Sequence, residues 1–349
     1  MQLTPTLTDI LQAAVLAPSA DNRHRLRFEP TTDGVLVWSE PGRLAGLTGY
    51  KRTLDLVSLG TVIENIVLRA GAHRLATSIE LFNTADQIAA NIKFQSTANE
   101  ADPLHAAIPI RHTNRCFFNG PPEDPAILQS IGDAARQIPG CSLDWLDSPE
   151  QRSKVLRLIR LAEGERFRNR ILHTELFETI RFELGWHQTC EEALPPGALG
   201  IEAPLRPFFR LIRHWPVMRI LNYVGAYKQL GWRAGDLPCR FAPHLGVICA
   251  PSLIDRDQIN AGRAFQRAWL SIAQHGLALQ PMPASVLYAQ EMAVNQGIPG
   301  ELQRYLHHEW EELQPGKIPL MVFRMGRTKK APGLVSGRHP LEYYLKPRQ

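Results

Sequence analysis

The chain has 349 residues, of which 44% are hydrophobic and 21% charged. That is the balance of a folded, soluble protein of about two domain-sized units, and it excludes a disordered chain. Thirty-nine Lys and Arg stand against 34 Asp and Glu, a mild net charge of +5. Most of the excess is local: Gln151 to Gly235 holds 14 basic and 8 acidic residues, so this stretch carries +6 and the remainder is close to neutral. The five cysteines (Cys116, Cys141, Cys190, Cys239, Cys249) are odd in number and never form C-x-x-C. A disulfide framework or a zinc ribbon is therefore excluded, and a reducing cytoplasm is expected. The apolar run Ile10 to Ala17 has no positive segment ahead of it, the first basic residue being Arg23, so it does not read as an export signal. No apolar run approaches the roughly 18 residues of a membrane span.

In chain order, Thr6 to Leu16 has helical spacing, with Thr8 as candidate N-cap, and Ala17-Pro18-Ser19 breaks it. Leu26 to Trp38 alternates around a Thr-Thr-Asp-Gly turn and reads as a β-hairpin. Asp55 to Gly71 is a helix apolar nearly all round, placed in a core, and Thr77 to Phe82 follows as a strand. The order then recurs. Pro125 to Ala135 parallels the first helix, Gly140 to Leu146 the first hairpin strand, and Gly262 to Ala278 the central helix with its exit into a strand. In both central helices a glycine, Gly60 or Gly262, is read as standing near the start. The pattern predicts two copies of one α+β unit, residues 1–105 and 106–349, with a helical insert at about 151–235 in the second.

Four segments then resemble the nitroreductase superfamily of FMN-binding flavoproteins, and within it the internally duplicated Acg-like branch. They are Ala17-Pro18-Ser19-Ala20-Asp21-Asn22 (A-P-S-x-x-N), Arg111-His112-Thr113-Asn114-Arg115-Cys116-Phe117 (R-x-[ST]-x-R-x-F), Gln266 to Leu270 running to Gln280-Pro281-Met282, and Phe323-Arg324-Met325-Gly326 with Ser336 to Glu342 (S-x-R-R-P-L-E). The resemblance implies a three-layer α+β fold and FMN in a groove between two halves. It assigns the FMN phosphate and ribityl chain to Arg111, Thr113 and Arg115, with a second phosphate position at Arg338. Pro18, Ser19 and Asn22 would contribute from the first repeat, and Pro281 and Met282 from the loop beside the flavin N5 edge. Arg offers planar paired N–H groups that match phosphate oxygens, and a helical turn would put Arg111 and Arg115 on one face. The usual second Arg is here His339. Because prolines flank it, Met282 and Ala284 are the expected backbone donors.

The motifs are divided between the repeats. The first has A-P-S-x-x-N but no Arg or Lys ahead of it, whereas the second has R-x-T-x-R but Gln137 to Cys141 in place of A-P-S-x-x-N. One site can be completed within one chain and its twin cannot, which predicts a pseudo-dimeric monomer with a single FMN; further dimerisation is left open. Arg23 and Arg25 replace the family's T-Q-P-W and, with Tyr223 and Trp232 of the insert, are candidate substrate contacts. Phe208, Phe209, Trp215 and Tyr227 complete an aromatic, basic segment from Leu205 to Trp232, expected to cover the groove as a lid, with its Arg side chains outward, rather than to face a membrane or nucleic acid. His307 and Glu311 lack a third ligand, so no metal is expected. Rossmann, P-loop and nucleophile-elbow motifs are absent, and no protein nucleophile is assigned because FMN would carry the chemistry. The reading is an FMN-dependent oxidoreductase acting on a small conjugated or aromatic substrate, with NADH or NADPH as candidate reductant. An FMN-storage protein closed by its lid is the alternative.

Overall fold

The computed structural model describes residues 3–39, 49–83, 88–329 and 332–345. Helix α1 (Pro5–Val15) is capped by Thr4 rather than Thr8: Thr4 Oγ1 accepts from the Leu7 N–H at 3.2 Å, and Thr8 returns its hydroxyl to Thr4 O. Pro5 can open the helix because the N–H it lacks has no intrahelical partner at that position. Strands β1 (Leu26–Pro30) and β2 (Gly34–Ser39) form the expected hairpin, followed by α2 (Gly49–Ala72), β3 (Leu75–Asn83) and β4 (Ile88–Ser96). After α3 (Pro125–Arg136) and β5 (Ser142–Trp145) the chain runs through a helical insert, residues 149–241, before it returns as a strand. These are α4 (Pro149–Arg168), α5 (Arg170–Glu178), α6 (Arg206–Ile212), α7 (Trp215–Tyr223), α8 (Ala226–Gly231) and α9 (Leu237–Phe241). The second sheet is completed by β6 (His244–Ala250), α10 (Asp255–Gln274), β7 (Ala278–Pro281), α11 (Ala284–Tyr288), α12 (Gly300–Leu313) and β8 (Ile318–Gly326), and α13 (Leu341–Tyr344) returns to the first half.

The protein is α+β. Its two antiparallel sheets have the orders β1-β2-β4-β3 and β5-β6-β8-β7, the same sequence of places within each half. Between them α2 crosses α10. A Cβ on Gly60 would lie 2.0 Å from Ile259 O, and one on Gly262 would lie 2.1 Å from Val57 O. Both glycines are thus interior to their helices, not at the starts the sequence spacing implied, and what requires them is the close approach of two backbones.

The sheets differ in what covers them. One core joins α1, α2 and the first sheet, and another joins α3, α10 and one face of the second sheet. On β6, Ile248 and Ala250 face that core while Leu245, Val247 and Cys249 face a further core shared with α4, α11 and α12. Every residue of β6 is buried as a result, whereas Leu75 to Leu81 of β3 alternate between half-buried and exposed. The insert adds a layer to the second sheet.

Candidate functional site

A cavity of about 1050 Å³ opens where the two halves meet the insert. Its wall contains Pro18, Ser19 and Asn22 from the turn after α1, Arg111, Thr113 and Arg115, Pro281 and Met282 after β7, and Arg338 near the end of the chain. These are the nine residues that the sequence assigned to one cofactor. The segment from Arg111 to Arg115 is extended, not the helical turn expected: Thr113 bridges in parallel to Leu279, and the Asn114 N–H donates to Leu279 O at 3.0 Å. Alternation along an extended chain puts residues 111, 113 and 115 on one side, the grouping anticipated from a different geometry.

Two of the guanidiniums are anchored to successive carbonyls at the end of α1. Arg111 Nη2 donates to Leu16 O and Arg338 Nη2 to Ala17 O, both at 3.0 Å. Arg111 also lies 4.5 Å over the ring of Trp269, while Arg115 Nη1 donates to Ala198 O at 3.1 Å. Among the described residues none of the three has a carboxylate within ion-pair distance. Burial holds Arg111 down at about 9, with Arg338 adding to the depression, and burial brings Arg115 and Arg338 to about 10. Arg111 Nε, Arg338 Nε and Ser19 Oγ are buried without a hydrogen-bond partner. Clustered cations with no ion-pair partner among the described residues, only Asp21 acting on Arg115 at longer range, and with donors left over, describe a site for an anion.

The turn Ser19 to Asn22 is shaped by backbone as much as by side chains. Asp21 and Asn22 both have positive φ, 53° and 57°, a conformation that Asn and Asp tolerate. The turn is tied to α2 by Thr61 Oγ1 donating to Pro18 O at 2.8 Å and by the Ala20 N–H donating to Ser58 Oγ at 3.2 Å. Asn22 is engaged at both ends of its amide: Nδ2 donates to Glu191 O and Gly337 O, and Oδ1 accepts from Arg338. It therefore orients Arg338. The Met282 N–H, expected to face the cavity, donates to Val322 O at 2.7 Å within the second sheet. Of the two donors anticipated there, Ala284 at the first position of α11 is the one outside the sheet.

Arg23, Arg25, Tyr223 and Trp232 lie outside the cavity. Around Arg23 the chain alternates, with Asn22, His24 and Leu26 turned inward, so Arg23 and Arg25 turn away; Arg23 meets Glu192 at 3.4 Å. His24, driven to about 3 by burial, is neutral and donates from Nε2 to Val15 O and Ala17 O. On α7 the one buried residue is Met218. Tyr223, five positions on, comes round to the far side at about 140° and is 86% exposed. Trp232 follows Gly231, whose face is pressed so closely on α4 that a Cβ would lie 2.5 Å from Arg160 O.

The insert nevertheless walls the cavity, through Glu163, Arg166, Glu175, Phe208, Phe209 and Arg233 among others. Its segment between α5 and α6 runs across the arginines: Gly337 N–H donates to Cys190 O at 2.9 Å, Ala193 N–H to Asn22 O at 3.2 Å, and Ala198 O takes the bond from Arg115. His339 sits at the mouth, 2.9 Å from Glu191 and stacked on Tyr343. Sequence reasoning missed the polar group opposite. Arg166 pairs with Glu163 at 3.3 Å, Tyr50 donates to Glu175 at 3.1 Å, and the Tyr50 and Tyr288 rings meet at 5.3 Å. Burial alone would depress the Arg166 guanidinium, but the carboxylates of Glu163 and Asp21 help hold it above its ordinary range. These residues come from α2, α4, α5 and α11, and no local motif joins them.

No protein-family model matches the chain. A curated relative, "Uncharacterized protein MT1398" of Mycobacterium tuberculosis, is 23% identical over 334 residues, covering 92% of this chain and 46% of the relative. The chain thus spans about half the length of the curated relative it matches. Among solved structures, similar ones include the FMN-dependent nitroreductase NfnB of Mycobacterium smegmatis in complex with NADPH (15% identity, 70% of this chain and 92% of that one, TM-score 0.38). Another is a nitroreductase with bound FMN from Desulfitobacterium hafniense (16% identity, 71% and 99%, TM-score 0.39). A third is a nitroreductase with bound FMN from Bacteroides fragilis (10% identity, 68% and 95%, TM-score 0.37). These are partial likenesses of shape, and the functional reading rests on the cavity itself.

Proposed function

We propose that this chain is an FMN-dependent oxidoreductase with one cofactor site, acting on a small conjugated or aromatic substrate. The carrying observation is the set of three guanidiniums, Arg111, Arg115 and Arg338, converging on one cavity without carboxylate partners. Unpartnered Ser19 Oγ, Arg111 Nε and Arg338 Nε supply the donors that a phosphate monoester needs. Bound FMN supplies hydride and electron transfer. This chain's residues do the rest. Arg111 and Arg338, fixed to the end of α1, bind and orient the phosphate, with Arg115 and Thr113 beside them. The Pro281–Ala284 segment, which lines the cavity, would stand beside the bound ring, and the insert would exclude water. A cavity of about 1050 Å³ is at the upper end of ligand sites, about 300–1,000 Å³, which leaves room for a substrate over a cofactor.

The same reading treats residues 1–105 and 106–349 as two copies of one unit within the nitroreductase superfamily, in its duplicated Acg-like branch. It is supported by the equal strand orders and by the reciprocal contacts of Gly60 and Gly262. The backbone bonds from Cys190, Ala193 and Ala198 across the arginines favour slow loss of cofactor, which keeps a flavin-sequestering protein as the second reading. Anaerobic mixing of the FMN-loaded protein with NADPH or NADH separates the two. Rapid bleaching of the flavin band, restored by an added nitroaromatic or quinone, is the expected result; a band unchanged by either reductant, with FMN still bound, would favour sequestration.

A further inference from the structure

The insert turns one side to the cavity and the other to solvent, and the outer side is neither polar nor neutral. Nineteen large hydrophobics are exposed among the described residues, and six of them, Leu205, Phe208, Leu211, Ile220, Tyr223 and Val224, fall within one stretch of 20 residues at 41–86% exposure. The spacing makes faces of them, since Phe208 and Leu211 on α6, and Ile220 and Tyr223 on α7, are i, i+3 pairs. Exposed cations are interleaved: Arg210, Arg213 and Arg219, with Lys228 just beyond. No Asp or Glu occurs from Ala203 to Gly235. Contiguous apolar surface on a folded chain marks an interaction site.

The charge selects the occupant. A second copy docked face to face would set these cations against their own kind. A single-stranded nucleic acid calls for stacking platforms, yet Leu205, Leu211, Ile220 and Val224 are aliphatic. Aliphatic and aromatic side chains among guanidiniums that have no carboxylate partner among the described residues suit the headgroup layer of an anionic bilayer, with the apolar groups in the acyl boundary and the cations at the phosphates. We infer that Leu205–Val224 seats the protein on an anionic phospholipid surface. No helix among the described residues is long and apolar enough to cross a membrane, so the contact is peripheral. Leu205 and Phe208 also line the cavity, which makes the seated face continuous with the cavity wall. The inference stands on the outer surface and does not depend on the identity of the cofactor.

The test is co-sedimentation of the full chain with vesicles of phosphatidylcholine, alone or mixed with phosphatidylglycerol. Binding to the mixed vesicles and not to the neutral ones is expected. Arg210→Glu/Arg219→Glu should lower partitioning by about fivefold or more per cation, and Ile220→Ser/Tyr223→Ser by about tenfold or more. Lys93→Glu/Arg256→Glu, which reverses two exposed cations outside the insert (54% and 72% exposed), should bind as the parent does. All six positions are at the surface, and equal melting temperatures would show that the variants are folded. The inference is overturned by failure of the parent protein to bind the mixed vesicles, by equal loss in the Lys93/Arg256 control, or by Ile220→Ser/Tyr223→Ser abolishing a concentration-dependent self-association instead.

Discussion

Counting from the paired glycines, Asn65 on α2 and Arg267 on α10 hold the same place, five residues beyond Gly60 and Gly262. Each donates to a carbonyl near the end of the first helix of its half: Asn65 Nδ2 to Ala13 O at 2.8 Å, and Arg267 Nε to Ala134 O at 2.9 Å. The preceding positions are exchanged across the crossing. Gln266 Nε2 donates to Asn65 Oδ1 and Arg267 Nη1 to Glu64 Oε1, both at 2.7 Å. One copy of the contact is a pair of amides and the other a buried ion pair, which Asp102 extends. At the end of α3 the guanidinium is therefore neutralised. At the end of α1, Arg111 and Arg338 meet Leu16 O and Ala17 O with no carboxylate near them. An arginine against helix-end carbonyls is a structural tie when acids surround it and an anion site when they do not.

The largest effect that would break this contrast is on cofactor affinity. Each charged partner removed from a buried phosphate commonly costs about 2–5 kcal/mol, so Arg111→Ala/Arg338→Ala should weaken FMN binding by about a thousandfold or more in a flavin-fluorescence titration. Thermal stability of the empty protein should hold, because two uncompensated charges are removed together. Arg267→Ala should do the reverse. Glu64 is 1% exposed and would keep only Arg263, at 2.8 Å, so losing one of its two guanidinium partners should cost about 1.5–3 kcal/mol, read as a lower midpoint in urea, while the folded fraction keeps its FMN affinity.

Smaller effects sharpen the comparison. Gly262→Ala places a methyl against Val57 O and should cost about 1–3 kcal/mol by forcing α2 and α10 apart. On the same helix α2, Gly71→Ala meets nothing within 4 Å and should stabilise by about 0.4–1 kcal/mol through the unfolded chain. The pH dependence is milder still. In the empty protein Arg111 is held down at about 9, and a bound phosphate raises it again. Affinity should therefore be at its full value below pH 9 and fall as pH rises through it, by no more than about tenfold per pH unit for this one group. Isothermal titration at a series of pH values, with proton uptake on binding above pH 9, checks the sign.

Much of the arrangement was legible in the sequence because it rests on local signals. The hairpin at Leu26–Trp38, the repeat of helix and strand, and the insert follow from periodicity and turn residues. Arg111, Thr113 and Arg115 line one cavity although the helical turn expected is an extended segment, because residues i and i+4 share a side in an extended chain as well as in a helix. What was not legible depends on tertiary contacts. Nothing near Asn22 announces that Arg338, 316 residues later, takes its amide oxygen, or that Val322 takes the Met282 N–H. Glu163, Arg166, Glu175, Tyr50 and Tyr288 reach one wall from four elements. Of the aromatic segment, Phe208 and Phe209 line the cavity while Tyr223 is exposed, since a short amphipathic helix cannot present every aromatic to the same side.

The central claim is that the two halves together build one anion-holding cofactor site and not two. Titration of the purified chain with FMN, followed by flavin-fluorescence quenching and by the flavin-to-protein ratio after gel filtration, tests it most directly. One FMN per chain, lost in Arg111→Ala/Arg338→Ala and kept in Arg267→Ala, is the predicted result. Two FMN per chain, or equal retention in the Arg111/Arg338 variant, would contradict it.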